Sequence, residues 1–254
     1  MIQTAGKNRR RIIHLDQVRR IYKVGVERIH ALDGVDLEIF ENEYVAIMGP
    51  SGSGKSTLMN VLGCLDRASS GLYELDGQDT TKMGDAELAG IRNERIGFVF
   101  QSFELLNRFS ALRNVEMPLI YARGGWWSRR KRAHDVLVKV GLAGRVKHKP
   151  NQLSGGEKQR VAIARAMICN PSILLADEPT GNLDSKTSED ILALFDQLHR
   201  EGQTIILVTH EESVAVHTKR VIRMKDGRIS SDLPAHLDPA CAQAITGNPQ
   251  EGAP

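Results

Sequence analysis

Alternating apolar and polar positions open the chain and give way to dense apolar runs, and that change of period divides the sequence. From Ile12 to Ile39 the alternation predicts antiparallel strands, DLEIF at Asp36–Phe40 among them, and GLYELDG at Gly71–Gly77 reads as another. Four denser runs, Tyr44–Met48, Ile96–Phe100, Ile173–Ala176 and Thr204–Thr209, have the character of strands buried on both faces of a parallel sheet. Before the last of them, Ile191, Leu194, Phe195 and Leu198 recur at i, i+3, i+4 and i+7, the stripe of an amphipathic helix. VIRMKDGRIS, Val221–Ser230, predicts a hairpin turning at Asp226-Gly227. Buried strands alternating with helices argue an α/β class with a mainly parallel sheet, accompanied by an antiparallel β subdomain.

From about Ser102 to Asn170 only the helical period remains, with Ala133, Val136, Leu137 and Val140 as one stripe. The expected layout is a disordered basic tail over 1–11, one domain over 12–231 with a helical subdomain inserted at about 102–170, and a weakly ordered tail over 232–254 holding one helical turn.

Composition changes this picture little. Hydrophobic content of 41% with 26% charged residues is ordinary for a globular chain of 254 residues, and a net charge of +3 makes no case for nucleic acid. Cys64, Cys169 and Cys241 are odd in number and far apart, which suggests a reduced compartment; the first two are expected in helices, packed in the core. No apolar run approaches the ~18 residues of a membrane span, and the basic start lacks a signal-length apolar segment. The expectation is a cytosolic chain whose membrane-spanning partner, if it has one, is a separate polypeptide.

The chemistry lies in two clusters. GPSGSGKS (Gly49, Pro50, Ser51, Gly52, Ser53, Gly54, Lys55, Ser56) fits the phosphate-loop pattern GxxxxGK[ST] at every fixed position, between a strand and a helix beginning near Thr57. Its glycines let backbone N–H groups converge on one concavity, and the helix N-terminus adds partial positive charge. Lys55 is placed for the β- and γ-phosphates and Ser56 for Mg²⁺. Downstream, Asp177 ends a buried strand, positioned to hold Mg²⁺, and Glu178 follows, positioned to polarise a water. Between them in sequence, LSGGEKQR begins with Ser154 three residues before Glu157, the form of a capping box. That makes Ser154-Gly155-Gly156 a second exposed helix N-terminus for an anion. The phosphate loop already surrounds its own phosphates, so two chains in antiparallel contact, each offering SGG to the other's γ-phosphate, make better use of it.

In this order of motifs the sequence resembles the ATP-binding-cassette (ABC) ATPases, from about Ile12 to Ile229. The resemblance is carried by the phosphate loop, Gln101 in FVFQS, LSGGEKQR, the pair Asp177-Glu178, PTGNLD ending at Asp184, and His210 in LVTH. It implies a phosphate-loop NTPase core, ATP and Mg²⁺ as cofactors, and ATP hydrolysis. It implies adenine stacking by Tyr22, Mg²⁺ contacts from Ser56, Gln101 and Asp177, catalysis by Glu178 with His210 and Gln101, and a nucleotide contact from Asp184. The implied partners are a second copy of the chain and integral membrane permease subunits, with the protein peripheral on the cytoplasmic side of the inner membrane. The wording GFVFQSFELLNRFSALRNVEMPLIY is similar to the branch that powers lipoprotein release and macrolide export; a cell-division-type ATPase acting as a mechanical switch is the alternative. A DNA-repair member would need a coiled-coil insertion, and no heptad run exists; a ribosomal member would need two cassettes; a metabolic kinase leaves LSGGEKQR unexplained.

Two further features stand apart. Phe103, Leu105, Leu106 and Phe109 are candidates either for a groove receiving a helix of a membrane partner or for the core of the lobe. Trp126-Trp127 with Arg129-Arg130-Lys131-Arg132 reads as a solvated basic face, with a membrane-surface patch as the alternative.

Overall fold

The structure is a computed structural model that describes residues 9–121 and 126–246; the side chains of Trp126 and Trp127 and most of the expected 1–11 tail lie outside the described residues. Two long strands open the chain, β1 (Arg11–Val24) and β2 (Glu27–Phe40), followed by β3 (Tyr44–Met48) and α1 (Lys55–Leu62). Next come β4 (Ser70–Leu75), β5 (Gln78–Asp79), α2 (Asp85–Arg95) and β6 (Ile96–Val99). The helical lobe holds α3 (Ala111–Glu116), α4 (Trp126–Lys139) and α5 (Gly155–Met167). The second half adds β7 (Ile173–Asp177), α6 (Ser185–Arg200), β8 (Thr204–Val208), α7 (Glu212–Ala215), β9 (Arg220–Lys225), β10 (Arg228–Pro234) and α8 (Pro239–Thr246).

The alternating segments form an antiparallel sheet in the order β2-β1-β4-β5, and the dense runs form the six-stranded sheet β10-β9-β3-β8-β7-β6. Neighbours from β9 through β6 run parallel; β10 pairs antiparallel with β9. β3 and β8 are buried at every position, as strands covered on both faces must be. In α6 the stripe Ile191, Leu194, Phe195 and Leu198 is buried against the sheet. Phe195→Ala there would cost about 3–5 kcal/mol. The β9–β10 turn has Asp226 at φ 50° and Gly227 at φ 74°, both left-handed, as a two-residue hairpin of type I′ requires. No helix among the described residues is long and apolar enough to cross a membrane.

Three expectations differ in detail. Cys64 and Cys169 lie just beyond the ends of α1 and α5 rather than inside them; Cys64 is buried in the core, and Cys169 packs partly against it. Arg11 already belongs to β1. Residues 232–246 are not a weakly ordered tail: β10 runs to Pro234, and a 3-10 turn over Ala235–Leu237 leads into the two turns of α8. Ala235 and Cys241 pack with Ala46, Met48, Ala215 and Val221. The Arg223 guanidinium bonds both carboxylate oxygens of Asp238 (2.6 and 2.7 Å) and both of Glu212 (2.9 and 3.0 Å). The Asp238 carboxylate also accepts from the Cys241 N–H at 3.1 Å, capping α8, and these bonds to Arg223 hold it at about 2, well below the usual carboxylate range.

Candidate nucleotide site

β3 delivers the chain into the loop at the centre of the parallel sheet, between β8 and β9. Gly49, Gly52 and Gly54 have φ of 148°, 79° and 101°. Crowding adds to the case for glycine at the two ends: a Cβ at Gly49 would lie 2.3 Å from the Met224 carbonyl oxygen, and one at Gly54 2.5 Å from that of Ala31. Gly54 is the N-cap of α1 and no side chain caps that helix, so its first-turn N–H groups are left for an anion. Lys55 Nζ donates to the carbonyls of Gly49 (2.6 Å) and Pro50 (2.8 Å), which keeps the ammonium over the loop. Ser56 is exposed at the first turn; Ser53 is buried, with its Oγ unpartnered.

The adjacent strand ends bring the acids. Asp177 is the last residue of β7, and burial together with neighbouring Glu178 pushes its carboxyl up, with Lys55 pulling the other way. Glu178 sits at φ 41° with its N–H bonded to the Val208 carbonyl (2.8 Å), and its Oε1 lies 2.6 Å from His210 Nδ1. Glu178 and His210 therefore reach each other across the ends of β7 and β8. Asp177, Ser56 and the Gln101 amide are oxygen donors of the kind Mg²⁺ takes, and a half-buried carboxylate whose proton affinity is raised is suited to a cation.

The other expected residues lie in a second group. Ser154 Oγ accepts from the Glu157 N–H (3.2 Å), and Glu157 Oε2 accepts from the Ser154 N–H (2.8 Å), so the capping box is complete. Gly155 and Gly156 are backed by the segment after Glu178: a Cβ at 155 would meet Leu183 at 3.0 Å, and one at 156 would meet Thr187 at 2.5 Å. Asp184 caps α6, its carboxylate accepting from the Thr187 N–H (3.0 Å) and hydroxyl (2.7 Å). Among the described residues, no hydrogen bond joins Ser154, Gly155 or Gly156 to Gly49–Thr57 of the same chain. Gln101 lies two residues beyond β6; its amide packs on Gly181, where a Cβ would come within 2.5 Å of Nε2. Tyr22, on β1, donates its hydroxyl to Asp66 (2.7 Å), and the Arg20 guanidinium lies 4.5 Å over its ring, so a base would have to use the opposite face.

Two residues were missed by sequence reasoning. Buried Gln159 donates to the Pro179 carbonyl (2.7 Å) and ties α5 to the segment following Glu178. Asn182 donates to the Gln101 carbonyl at 3.0 Å. Both lie inside the motifs already noted, and a buried amide within a helix stripe is the signal that marks Gln159. The phenylalanine–leucine stretch does not line the cleft beside β6. A cleft of about 660 Å³ opens between α2, β6 and α5, lined by Phe98, Phe100, Pro118 and Tyr121 rather than by Phe103, Leu105, Leu106 and Phe109. Leu105 instead packs against the core.

A mainly parallel sheet with a phosphate loop on its central strand, an acid pair two strands away and a histidine after the strand between them defines a phosphate-loop nucleotide hydrolase. The ABC transporter family model matches residues 32–181, and the chain belongs to that family as an ATP-binding, ATP-hydrolysing cassette. It is 56% identical over 218 residues to the uncharacterised ABC transporter ATP-binding protein YknY of Bacillus subtilis (strain 168), covering 86% of this chain and 95% of that one. It is 52% identical to the macrolide export ATP-binding/permease protein MacB of Hyphomonas neptunium over 87% of this chain, which spans only 34% of MacB. The dimeric post-hydrolysis structure of the ATP-binding cassette MJ0796 with ADP and Pi aligns with a TM-score of 0.80 at 47% identity, covering 88% of this chain and 98% of that one.

Proposed function

We propose that two copies of the chain close head to tail around two ATP–Mg²⁺, and that closure and reopening drive separate membrane subunits from the cytoplasmic face of the inner membrane, in export or lipoprotein release. The observation that carries this reading is the pair of anion-ready helix ends: α1 above the phosphate loop, and α5, whose fully formed capping box, among the described residues, has no bond to that loop in its own chain. MJ0796, described as dimeric with ADP and Pi, supports the same arrangement, and the MacB relatives support the export branch. In this reading Lys55 neutralises the β- and γ-phosphates, Tyr22 stacks on adenine, and Ser154, Gly155 and Gly156 donate to the partner's γ-phosphate, flanked by Asp184. Ser56, Asp177 and Gln101 would hold Mg²⁺, which when bound offsets charge on the phosphate oxygens. Glu178 takes the proton of the attacking water, and His210 holds Glu178 in place and reaches the phosphate. The cleft beside Phe98 and Phe100 would take a short helix of the membrane subunit.

Mixing two inactive variants tests this. Lys55→Ala removes the charge opposite the phosphates, and Ser154→Arg blocks the partner's site while leaving ATP binding by the monomer intact. Each alone should hydrolyse no ATP. A mixed dimer carries both lesions in one composite site and none in the other, so activity should appear on mixing. Wild-type hydrolysis by Ser154→Arg alone would refute the shared site.

A further inference from the structure

Charge is segregated in this chain. Residues 102–154 hold eleven of its 34 Lys and Arg but only three of its 31 Asp and Glu. The fold gathers part of that excess into a cleft of about 670 Å³ on the helical lobe, where Arg130, Lys131 and His134 of α4 face Lys147 and His148 across Leu112. No acidic residue lines it. Elsewhere on the lobe Lys139 pairs with Glu201 and Arg145 with Glu157. Lys131, Lys147 and Lys149 meet no carboxylate among the described residues and are exposed. Nothing in the nucleotide chemistry uses these side chains.

We propose that this basic cleft binds the anionic phosphate headgroups of a lipid bilayer, orienting the cassette on the membrane beside its partner subunits. The proposal rests on the reading of the protein as a membrane-associated ATPase. Three observations favour a lipid surface over an acidic protein segment. The floor is apolar, with Leu112 and Val146 between the cations. A second cleft of about 240 Å³ places Phe109, Met117 and Ile120 with Arg113, Arg129 and a single acid, Glu116, and Ile120 is 54% exposed. Tyr121, next in sequence, is 79% exposed and also lines the groove proposed for the membrane subunit, so the lobe joins that groove to the basic face. Cations on long apolar stems beside exposed aliphatic and aromatic side chains suit the headgroup layer, where charge meets phosphate and apolar groups reach the acyl boundary. Each Lys or Arg near an anionic bilayer adds to the attraction, and salt weakens it.

The test is flotation of the full chain with vesicles of phosphatidylcholine alone or with one-third phosphatidylglycerol, at low and physiological salt. The wild type should float only with the anionic vesicles, less at higher salt. The triple variant Lys131→Glu, Lys147→Glu, Lys149→Glu should bind at least tenfold more weakly while keeping the wild-type ATPase rate and melting temperature. A control reversing Lys82, Arg200 and Lys219, exposed cations away from the cleft, should bind like the wild type. Equal flotation with both vesicle types, or equal losses in both triple variants, would overturn the proposal. So would binding of poly-glutamate or inorganic phosphate to the wild-type cleft without any vesicle binding. Failure here, with the mixed-variant ATPase intact and the membrane subunit still co-purifying, would remove the lipid contact and leave the transporter reading standing.

Discussion

Asp177 shows what the site costs the fold. Its carboxyl is pushed up by burial and by Glu178, so the folded chain holds this proton more tightly than the unfolded chain does. A raised carboxyl favours folding below the ordinary carboxylate range and loses that contribution as pH rises through its raised value; at neutral pH the ionised group works against the nucleotide-free fold. Asp177→Asn should therefore raise the melting temperature without nucleotide by on the order of 1–3 °C, and abolish the further rise that Mg²⁺ and ATP give the wild type. Differential scanning fluorimetry with and without Mg²⁺–ATP checks both halves. The placement of these residues was legible from sequence because they sit in short contiguous strings: Lys55 and Ser56 in one loop, Asp177 and Glu178 at one strand end. The bonds from Gln159 to Pro179 and from Asn182 to Gln101 were not, because the partners are 20 and 81 residues apart and only packing brings them together.

The elements make their own demands. Helix α5 depends on a reciprocal cap, so Ser154→Ala should lose about 1 kcal/mol of stability by urea denaturation, apart from any effect on hydrolysis. At the other end of the chain, Asp238→Asn should lose about 2 kcal/mol at pH 7, because the charged bonds to Arg223 go with it. The pH dependence has the opposite sign to that of Asp177. A carboxyl depressed to about 2 contributes stability above the ordinary carboxylate range and loses it as pH falls toward that value. The gap between wild type and variant should be constant from pH 7 to about 5 and narrow below, in denaturation curves at successive pH. Strands and helices with strong periods were readable at this scale, including both sheets and the α6 stripe. The C-terminal segment was not. Its Pro- and Ala-rich composition resembles a tail, and its order comes from one arginine on β9 together with an Asp-Pro helix start at Asp238-Pro239, a local signal that was present in the sequence.

For the whole molecule the sharpest expectation concerns Glu178→Gln. Glutamine keeps an oxygen for His210 but cannot take the water's proton, so hydrolysis should fall by about 10²–10⁴-fold. Binding should survive, since the loop, Lys55, Ser56 and Asp177 are untouched, and one negative charge leaves the neighbourhood of the γ-phosphate. ATP and Mg²⁺ should then trap a dimer visible by size-exclusion chromatography with light scattering, where the wild type turns over and separates. The wild-type hydrolysis rate in the variant would remove Glu178 from catalysis. The proposed assembly rests on inference alone: two helix ends suited to anions in one sequence leave one unused, and among the described residues the two ends share no bond.

The left-handed backbone at Glu178 has a consequence for how this chain drifts over generations. At φ 41° glycine and asparagine sit more easily than glutamate, and β-branched residues least easily. A population of variants kept only for being well folded would wander at this position toward glycine and asparagine. One kept for turning over ATP would hold glutamate against that pull. The residue at 178 thus works as a marker of selection: in a mutational library sorted first for abundance and then for hydrolysis, it should be where the two rankings disagree most.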